Sequence, residues 1–344
     1  MKNTADKRKI IDIGDVAPSR KDFFVIGVFN PGVAQYKDEV ILLLRVAEKA
    51  KSSGCLNVPI FNGETNAVEV KSFDLNDPDY NFKDPRVIYG KHRNYITSMS
   101  HLRLARSRDG IHFTVDDKPA ICCQNKLQGY GVEDARITRI GDVYYIAYSS
   151  ASEYGIVESL SVTKDFKTYE HKGAIFAPDN KDAAIFPDKI NGKYYALHRP
   201  SSSEYGKPEM WIAESDNLTC WGNHRHFMSV RDGMFDSGRI GAGCVPFLTD
   251  EGWLELYHGA TKENRYCLGA VLTDKNDPAK ILARSRVPFM EPTEEFERNG
   301  FFGNVVFSCG CIARGNDVDV YYGAADKAVG LARIALRDIL ADMS

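Results

Sequence analysis

Glu133-Asp134-Ala135-Arg136-Ile137 opens a segment that recurs about every fifty residues along the chain. In each copy an acidic turn leads into a short apolar strand, and a second strand rich in aromatic residues follows. Related copies begin at Lys83-Asp84-Pro85 and at Lys181-Asp182-Ala183, so their aspartates stand 50 (134 − 84) and 48 (182 − 134) residues apart. A period of this length, with several short strands in each copy, predicts the blades of a β-propeller.

The pattern continues beyond these three copies. A fourth copy is expected over residues 239–259 and a fifth over residues 303–323. The sequence therefore predicts an all-β fold, a five-bladed β-propeller with a short C-terminal helix. We expect a single catalytic domain over residues 1–344, in which residues 1–22 form a polar lead-in.

Radial repetition would place Asp84, Asp134 and Asp182 around one funnel. Three carboxylates could bind a metal ion, hold sugar hydroxyls, or perform the acid–base chemistry of glycoside cleavage. A cation stands beside each aspartate in the sequence. This disfavours a divalent ion, and we expect neither a metal nor a cofactor. In the structural alternative, the three aspartates only cap strand starts and pair with the neighbouring arginine.

The composition is that of an ordinary soluble globular protein, with 43% hydrophobic and 26% charged residues. A net charge of −3 gives no electrostatic reason to expect nucleic acid or an anionic membrane as a partner. No run is long and apolar enough to span a bilayer, and the charged start resembles no signal peptide, so a cytoplasmic location is expected. Eight cysteines without a CxxC pair predict free thiols.

Several motifs occur in the order in which they occur in glycoside hydrolase family 130, the β-mannoside phosphorylases and β-1,2-mannosidases. The resemblance covers nearly the whole chain. Its specificity lies in the ordered set, because each motif alone is weak. The motifs are Asn30-Pro31-Gly32-Val33, Leu43-Leu44-Arg45-Val46, Gly131-Val132-Glu133-Asp134-Ala135-Arg136, Lys181-Asp182-Ala183-Ala184, His198-Arg199-Pro200, Gly241-Ala242-Gly243, Tyr257-His258-Gly259 and Tyr321-Tyr322-Gly323-Ala324-Ala325-Asp326.

The resemblance implies a five-bladed β-propeller that cleaves mannosides with inversion at the anomeric carbon. The family's general acid is the aspartate of a Glu-Asp-Pro-Arg motif, which matches Asp134, although Ala135 stands here in place of the proline. By the same resemblance the mannose that is released would be held by five further residues. These are Asn30, Arg45 and Asp84, with help from Asp182 and Asp326.

The family divides by its nucleophile, which is either phosphate or water. Candidate cations for phosphate are Arg136, His198, Arg199, Arg239 and His258, with Tyr257 beside them. Against phosphate stand Glu214 and Glu255, at positions that are uncharged in phosphorylase relatives. A carboxylate about 4 Å from a phosphate would cost roughly 4 kcal/mol per unit charge. The same pair could activate a water, although strand alternation allows both to point outward.

On this basis the sequence predicts an inverting, exo-acting β-mannosidase that hydrolyses β-1,2-linked manno-oligosaccharides. Asp134 would be the general acid, and Glu214 and Glu255 would activate the water. The alternative is a β-1,2- or β-1,4-mannoside phosphorylase that releases α-mannose 1-phosphate, and a second alternative is a carbohydrate-binding propeller without catalysis. The expected partner is a mannose-containing oligosaccharide. The sequence leaves open whether the chain forms a homo-oligomer.

Overall fold

The computed structural model describes residues 6–201, 204–341 and 343. Strands dominate this part of the chain, and the expected all-β class is confirmed. Its helical segments are the 3₁₀ turns Ile13–Asp15 and Lys126–Gln128 and two short α-helices, α1 (Glu295–Arg298) and α2 (Leu336–Leu340). Helix α2 directly follows the last strand, as the sequence of the C-terminal tail predicts. In the described ranges no helix has the length and apolar character needed to cross a membrane.

The described residues form 26 strands. In chain order they are β1 (Asp6–Ile11), β2 (Phe23–Tyr36), β3 (Glu39–Ala50), β4 (Leu56–Asn62), β5 (Ala67–Phe73), β6 (Tyr80–Asn81), β7 (Val87–Gly90), β8 (Tyr95–Ile96), β9 (Met99–Ser107), β10 (Thr114–Ile121), β11 (Gly131–Ile140), β12 (Val143–Ser152), β13 (Gly155–Thr163), β14 (Glu170–Phe176), β15 (Asn180–Ile185), β16 (Tyr194–Pro200), β17 (Met210–Ser215), β18 (Trp221–Met228), β19 (Arg239–Gly241), β20 (Phe247–Leu248), β21 (Trp253–Ala260), β22 (Tyr266–Thr273), β23 (Ile281–Arg284), β24 (Val306–Arg314), β25 (Asp317–Ala324) and β26 (Ala328–Ala335).

Most of these strands form antiparallel units in which neighbours in sequence are mostly also neighbours in the sheet. Unit 1 is β2, β3, β9 and β10, and unit 2 is β11 to β14. One pairing, of Ser100 with Gly131, joins these two units into a larger sheet. Unit 3 is β15 to β18. Unit 4 is β19 to β23, in which β19 and β20 both pair with β21, and unit 5 is β24, β25, β26 and β1.

The chain's first described strand completes its last sheet. Strand β1 pairs antiparallel with β26, so that Asp6 lies opposite Arg333. Part of the expected polar lead-in is therefore a strand, which the sequence analysis did not predict. The sequence did not indicate this strand, because the residues from Asp6 to Lys9 are all charged and an edge strand needs few apolar side chains. Residues 1–5 of the lead-in lie outside the described residues.

Residues 51–98 form an insertion between β3 and β9 of unit 1, built from the hairpin β4–β5 and the small sheet β6–β8. The copy predicted to begin at Asp84 falls inside this insertion. The first strand of unit 1 is instead β2, more than fifty residues earlier. The period of about fifty residues therefore holds from Asp134 to Asp182 but does not extend back to Asp84.

Buried apolar clusters lie between consecutive units, and a further cluster lies between unit 5 and unit 1, where Leu42 and Tyr321 belong to the same group. The first strands of the units also meet. Thr138 on β11 donates to the Ile185 carbonyl on β15 at 2.9 Å. Strands β24 and β2 approach so closely that a Cβ on Gly310 would lie 2.5 Å from Val33, which is why a glycine is needed there.

Candidate active site

Three first strands carry a polar residue at the same kind of irregularity. Asn30 on β2, Asp134 on β11 and Asp182 on β15 lie where the register with the second strand shifts, and their φ angles are 46°, 51° and 62°. This left-handed conformation costs most residues about 1–2 kcal/mol and is tolerated best by Asn and Asp. The repeated bulge directs all three side chains into one cavity.

This cavity, the central cavity, has a volume of about 770 Å³. Its lining is strongly polar and contains both signs of charge. The described lining includes the cations Arg45, Arg86, Lys181, Arg199 and Arg239, the carboxylates Asp134, Asp179, Asp182 and Asp326, the polar residues Asn30, Asn264 and His258, and the aromatic residues Tyr266, Phe302 and Phe307. Of the fourteen residues predicted from the sequence, eight are therefore brought together here: Asn30, Arg45, Asp134, Asp182, Arg199, Arg239, His258 and Asp326.

Asp134 is buried and held from two sides. The Asn30 amide donates to its Oδ1 at 2.9 Å, and Arg45 Nη1 donates to both carboxylate oxygens at 3.1 and 3.2 Å. Burial alone would raise the pKa of Asp134, but the charges of Arg45 and Lys181 outweigh it and hold that pKa below its usual value. The carboxylate is therefore ionised at neutral pH, and it must gain a proton before it can act as an acid.

Asp326 has the opposite tendency in the same cavity. Burial raises the pKa of Asp326 to about 6, and the negative charges of Asp134 and Glu133 add to this although Arg45 opposes it. Two neighbouring carboxyl groups with pKa values pushed apart are the usual arrangement for acid–base chemistry. Below about pH 6 the central cavity can thus hold one proton on Asp326 while Asp134 remains charged.

Asp182 forms ion pairs and hydrogen bonds with basic residues of the site. Arg199 Nε donates to Oδ2 of Asp182 at 2.8 Å, and His258 Nε2 lies 3.4 Å from the same oxygen. Burial would raise the pKa of Asp182, but Arg199, His258 and Arg136 hold it well below its usual range. Burial also lowers the pKa of His258, so its imidazole is mainly neutral at pH 7.

Arg136 does not line the central cavity, so the structure does not support its predicted contact with substrate. Its guanidinium is fully buried and donates to the backbone carbonyls of Asp134, Ala242 and Gly243 at 2.9, 2.6 and 3.1 Å. It also donates to Asp182 at 3.0 Å. Arg136 therefore ties the first strands of units 2 and 3 to the residues that follow the first strand of unit 4.

His198 and Tyr257 are also buried outside the cavity, contrary to the prediction. His198 bonds Asn180 through Nδ1 at 3.0 Å and stacks on Phe176, because alternation along β16 turns it away from the side that presents Arg199. The Tyr257 hydroxyl donates to Asp236 at 2.8 Å, between units 3 and 4. Both side chains support the packing around the site.

Asp84 does not reach the central cavity either. It lies on the insertion, where its carboxylate accepts from Arg86 Nε and Nη2 at 3.1 and 3.0 Å. Asp84 lines a second cavity beside the first, the outer cavity, which the insertion shares with residues 301–302. The prediction that Asp84, Asp134 and Asp182 share one funnel is thus wrong for Asp84. Asn30 occupies the corresponding place in unit 1.

Glu214 lies on the third strand of unit 3 and outside the central cavity, where it accepts from Arg225 and Asn223 at 2.8 and 2.9 Å. It pairs with Tyr195, whereas the cavity lies at the Arg199 end of the sheet. Four residues separate these levels, or about 13 Å along a strand. Glu214 cannot activate a water there.

Glu255 is buried beneath the cavity rather than in it. It accepts from the Gly243 amide at 2.8 Å. Burial raises the pKa of Glu255 well above its usual value, and the nearby Cys244 adds to the effect. A neutral carboxyl in this position neither repels phosphate nor serves as a base, so the prediction for Glu255 was wrong because the sequence did not show its burial.

Several residues of the cavity were not predicted as site residues. Lys181 donates to Glu133 at 3.3 Å, and Arg239 Nη2 donates to Asn264 at 2.8 Å while its guanidinium lies 5.8 Å from the Tyr266 ring. Lys181 could have been found from its place before Asp182. Asn264 and Tyr266 carry no motif, and only the packing of unit 4 reveals them.

Beneath the site, Glu158 accepts from Ser149 Oγ at 2.5 Å and from the Ala183 amide at 3.2 Å. Burial raises the pKa of Glu158 to about 7, against Arg136, which lowers it. In the unfolded chain the Glu158 carboxyl loses its proton near pH 4.5, whereas in the folded protein it keeps the proton until about pH 7. The contribution of Glu158 to the free energy of unfolding therefore falls as the pH rises from about 4.5 to about 7. We expect Glu158→Gln to gain free energy of unfolding relative to the natural protein over that window, by roughly 3 kcal/mol at most.

Denaturant unfolding at pH 5, 6, 7 and 8 measures this difference. Glu64→Gln is the matched control, because it makes the same substitution at an exposed residue in a turn. Its difference from the natural protein should stay constant with pH. A constant difference for Glu158→Gln as well would show that Glu158 does not titrate in this range.

A family model described as beta-1,4-mannooligosaccharide phosphorylase, that of glycoside hydrolase family 130, matches residues 84–344. The β-1,2-mannobiose phosphorylase of Listeria innocua serovar 6a is 51% identical over 332 residues, which are 95% of this chain and 94% of the relative. The 1,2-β-oligomannan phosphorylase of Thermoanaerobacter sp. strain X514 is 40% identical over 255 residues, which are 73% of this chain and 83% of the relative.

A solved structure from the same family is also similar to this chain. The β-1,2-mannobiose phosphorylase from Listeria innocua, in complex with β-1,2-mannobiose, superposes with a TM-score of 0.94 at 48% identity. The superposition covers 98% of this chain and 99% of the other. The similarity therefore extends over the whole fold, the central cavity included.

Proposed function

Because the chain belongs to glycoside hydrolase family 130, we propose that it is a β-1,2-mannobiose phosphorylase. It would cleave the disaccharide with inorganic phosphate and release α-mannose 1-phosphate and mannose. The mannose-containing substrate is the one expected from the sequence. The two relatives at 51% and 40% identity, both of which act on β-1,2 linkages by their names, support this linkage over β-1,4.

The expected hydrolytic activity was wrong. The relatives at 51% and 40% identity and the solved structure at 48% identity are phosphorylases by their names. The physical argument for water also fails, because it depends on two glutamates that the structure places outside the cavity. Glu214 lies on the third strand of unit 3, outside the cavity, and Glu255 is buried beneath the cavity, where burial raises the pKa of its carboxyl well above its usual value. Neither places a charge in the central cavity, so the repulsion that was expected to exclude phosphate does not arise.

The observation that carries the proposal is the cluster of cations in the cavity that holds Asp134. Lys181, Arg199 and Arg239 line it together with His258. The buried Nε of Arg239 has no hydrogen-bond partner among the described residues, so this donor is unused. Guanidinium and ammonium groups with unused donors are the usual ligands of phosphate.

A mechanism follows from these placements. A phosphate oxygen attacks the anomeric carbon on the face opposite the glycosidic oxygen, a new C–O bond forms, and the glycosidic bond breaks. Asp134 supplies the proton that the departing mannose needs, directly or through a sugar hydroxyl. A phosphate dianion held by the cations adds negative charge near Asp134, which raises its pKa and favours the protonated acid.

We further propose that the five units are blades of a five-bladed β-propeller, closed by the pairing of β1 with β26. The apolar clusters between consecutive units, with one between unit 5 and unit 1, support a ring. So does the contact of β24 with β2. In such a ring the bulges of β2, β11 and β15 face the axis. One domain and a cytoplasmic location stay predictions.

Product analysis tests the proposed reaction. The protein is incubated with β-1,2-mannobiose, with and without inorganic phosphate, and the products are separated by chromatography. We expect mannose 1-phosphate and mannose in equal amounts, and only when phosphate is present. Free mannose formed at the same rate without phosphate would contradict the proposal. β-1,4-Mannobiose in parallel reactions tests the linkage.

A further inference from the structure

Glu133 stands directly before Asp134 on β11, and no step of the proposed mechanism uses it. Its side chain is 10% exposed, and it is not among the described residues that line the central cavity. A buried carboxylate is costly unless charged groups or hydrogen-bond donors compensate for the loss of water. Glu133 has two such partners, and both are cations that also act on Asp134.

The two partners of Glu133 come from different units. Arg45 Nη2, on β3 of unit 1, donates to Oε1 of Glu133 at 2.8 Å. Lys181 Nζ, on β15 of unit 3, donates to Oε2 at 3.3 Å. Each carboxylate oxygen therefore binds one cation, and charge-assisted hydrogen bonds of this kind restrict the positions of both groups. Glu133 thus links unit 1 to unit 3 through the first strand of unit 2.

The same two cations control the charge of Asp134. Arg45 Nη1 donates to both oxygens of Asp134, so one guanidinium bonds both neighbouring carboxylates. Burial opposes the effect, but the charges of Arg45 and Lys181 hold the pKa of Asp134 below its usual value. Burial also lowers the pKa of Lys181, but the charges of Glu133 and Asp134 outweigh it and raise that pKa, so Lys181 stays charged.

Other titratable groups surround Asp134 on the neighbouring strands, but none of those described bonds both Arg45 and Lys181. Asp182 bonds Arg136 and Arg199 instead. The groups that face Asp134 besides its two cations and Glu133 are Arg136 on β11, Asp182 on β15, Cys309 on β24 and Asp326 after β25. Glu133 is therefore the carboxylate whose loss would leave the charges of both cations to act on Asp134 alone.

We propose that Glu133 is a positioning residue for proton transfer: it binds Arg45 and Lys181 and offsets the positive charge that would otherwise keep Asp134 ionised when the leaving sugar needs a proton. The inference rests on the proposed function and adds a residue to its chemistry. Phosphate in the central cavity meets Lys181 from one side, and Glu133 holds it from the other. Both negative groups favour the protonated form of Asp134.

The variant Glu133→Gln tests this, because it keeps the shape of the side chain and removes its charge. The alkaline limb of the pH profile of kcat reports the pKa of the acid in the complex with substrate. We expect this limb, measured with β-1,2-mannobiose and saturating phosphate, to move down by about one pH unit. On the limb kcat then falls about tenfold, whereas on the acidic side of the profile it changes less than twofold. Glu133→Asp retains the charge and should keep the limb of the natural protein.

Asp319→Asn is the matched control. Asp319 also accepts from two cations, Arg314 and Arg333, each at 2.6 Å, but it lies on β25 outside the central cavity. Its profile should equal that of the natural protein. An unmoved limb in Glu133→Gln, or an equal loss of kcat at every pH, would overturn the inference and leave the proposed function standing.

Two further measurements cover the remaining outcomes. If thermal unfolding shows that Glu133→Gln does not fold, Lys181→Gln replaces it: the limb should move upward, and an unmoved limb overturns the inference. Should the natural protein form no mannose 1-phosphate, the proposed function fails, and ¹³C NMR of the carboxyl groups follows Asp134 directly. Its signal is the one missing from Asp134→Asn. A lower pKa of Asp134 in Glu133→Gln supports the inference, and an equal pKa overturns it.

Discussion

Asn in place of Asp134 is expected to lower kcat for the phosphorolysis of β-1,2-mannobiose about 10³-fold, while the protein stays folded. An acid that protonates a leaving group contributes typically 10²- to 10⁴-fold. Asn has the shape of Asp and tolerates the left-handed φ of 51° at this position. Its amide oxygen can still accept from Asn30 and Arg45, so the surrounding contacts survive.

Steady-state kinetics and a thermal unfolding curve measure both parts of this expectation. Glu214→Gln is the matched control, because it removes a carboxylate of the same charge from the third strand of unit 3, outside the cavity, and should leave kcat within twofold. A value of kcat for Asp134→Asn within tenfold of the natural enzyme would exclude Asp134 as the acid. Loss of activity in Glu214→Gln would contradict the placement of that residue outside the site.

A second large effect is expected at Arg239. Replacement by Gln should raise KM for phosphate about 10- to 100-fold, with a much smaller effect on KM for mannobiose. A charged hydrogen bond contributes about 1.5–3 kcal/mol, which corresponds to this range. Arg239 is a cleaner choice than Arg199, because Arg199 also pairs with Asp182 and its loss would disturb a second group.

The measurement is the phosphate dependence of the rate at saturating mannobiose, and KM for mannose 1-phosphate in the reverse reaction should rise in parallel. Arg225→Gln serves as the control, since Arg225 pairs with Glu214 outside the cavity and its loss should change neither constant. A KM for phosphate that does not change in Arg239→Gln would place the phosphate elsewhere in the cavity. A rise in KM for mannobiose alone would assign Arg239 to the sugar.

Local patterns predicted the strands well, but the first copy of the repeat was misplaced. Asp84 stands in an Asp-Pro-Arg sequence like that of a blade start, and its distance from Asp134 matches the period. Asp84 lies in the insertion of residues 51–98, and its distance from Asp134 equals the repeat period only by coincidence. The residue that corresponds to Asp134 is Asn30, whose bulge no spacing reveals, because the insertion stretches the distance between them to 104 residues (134 − 30).

Charged residues on strands were predicted less well than residues at strand starts. A strand start in a repeat has a defined place relative to the other copies, so Asp134 and Asp182 could be put together from their spacing. Glu214 and Glu255 lie within strands, where the sequence does not tell which level of the sheet faces the cavity. The sequence also does not show that Glu255 is buried and therefore neutral.

The sequence by itself determined the all-β class, the family and the acidic residue at the bulge of β11, because these depend on local periodicity and on motifs read in order along the chain. The cluster of cations in which we propose that phosphate binds could be seen only in the tertiary structure. Lys181, Arg199, Arg239 and His258 come from two units, and Asn264 and Tyr266 join them through packing. Whether such charges attract phosphate depends on their distances and burial, and these exist only after the units have come together.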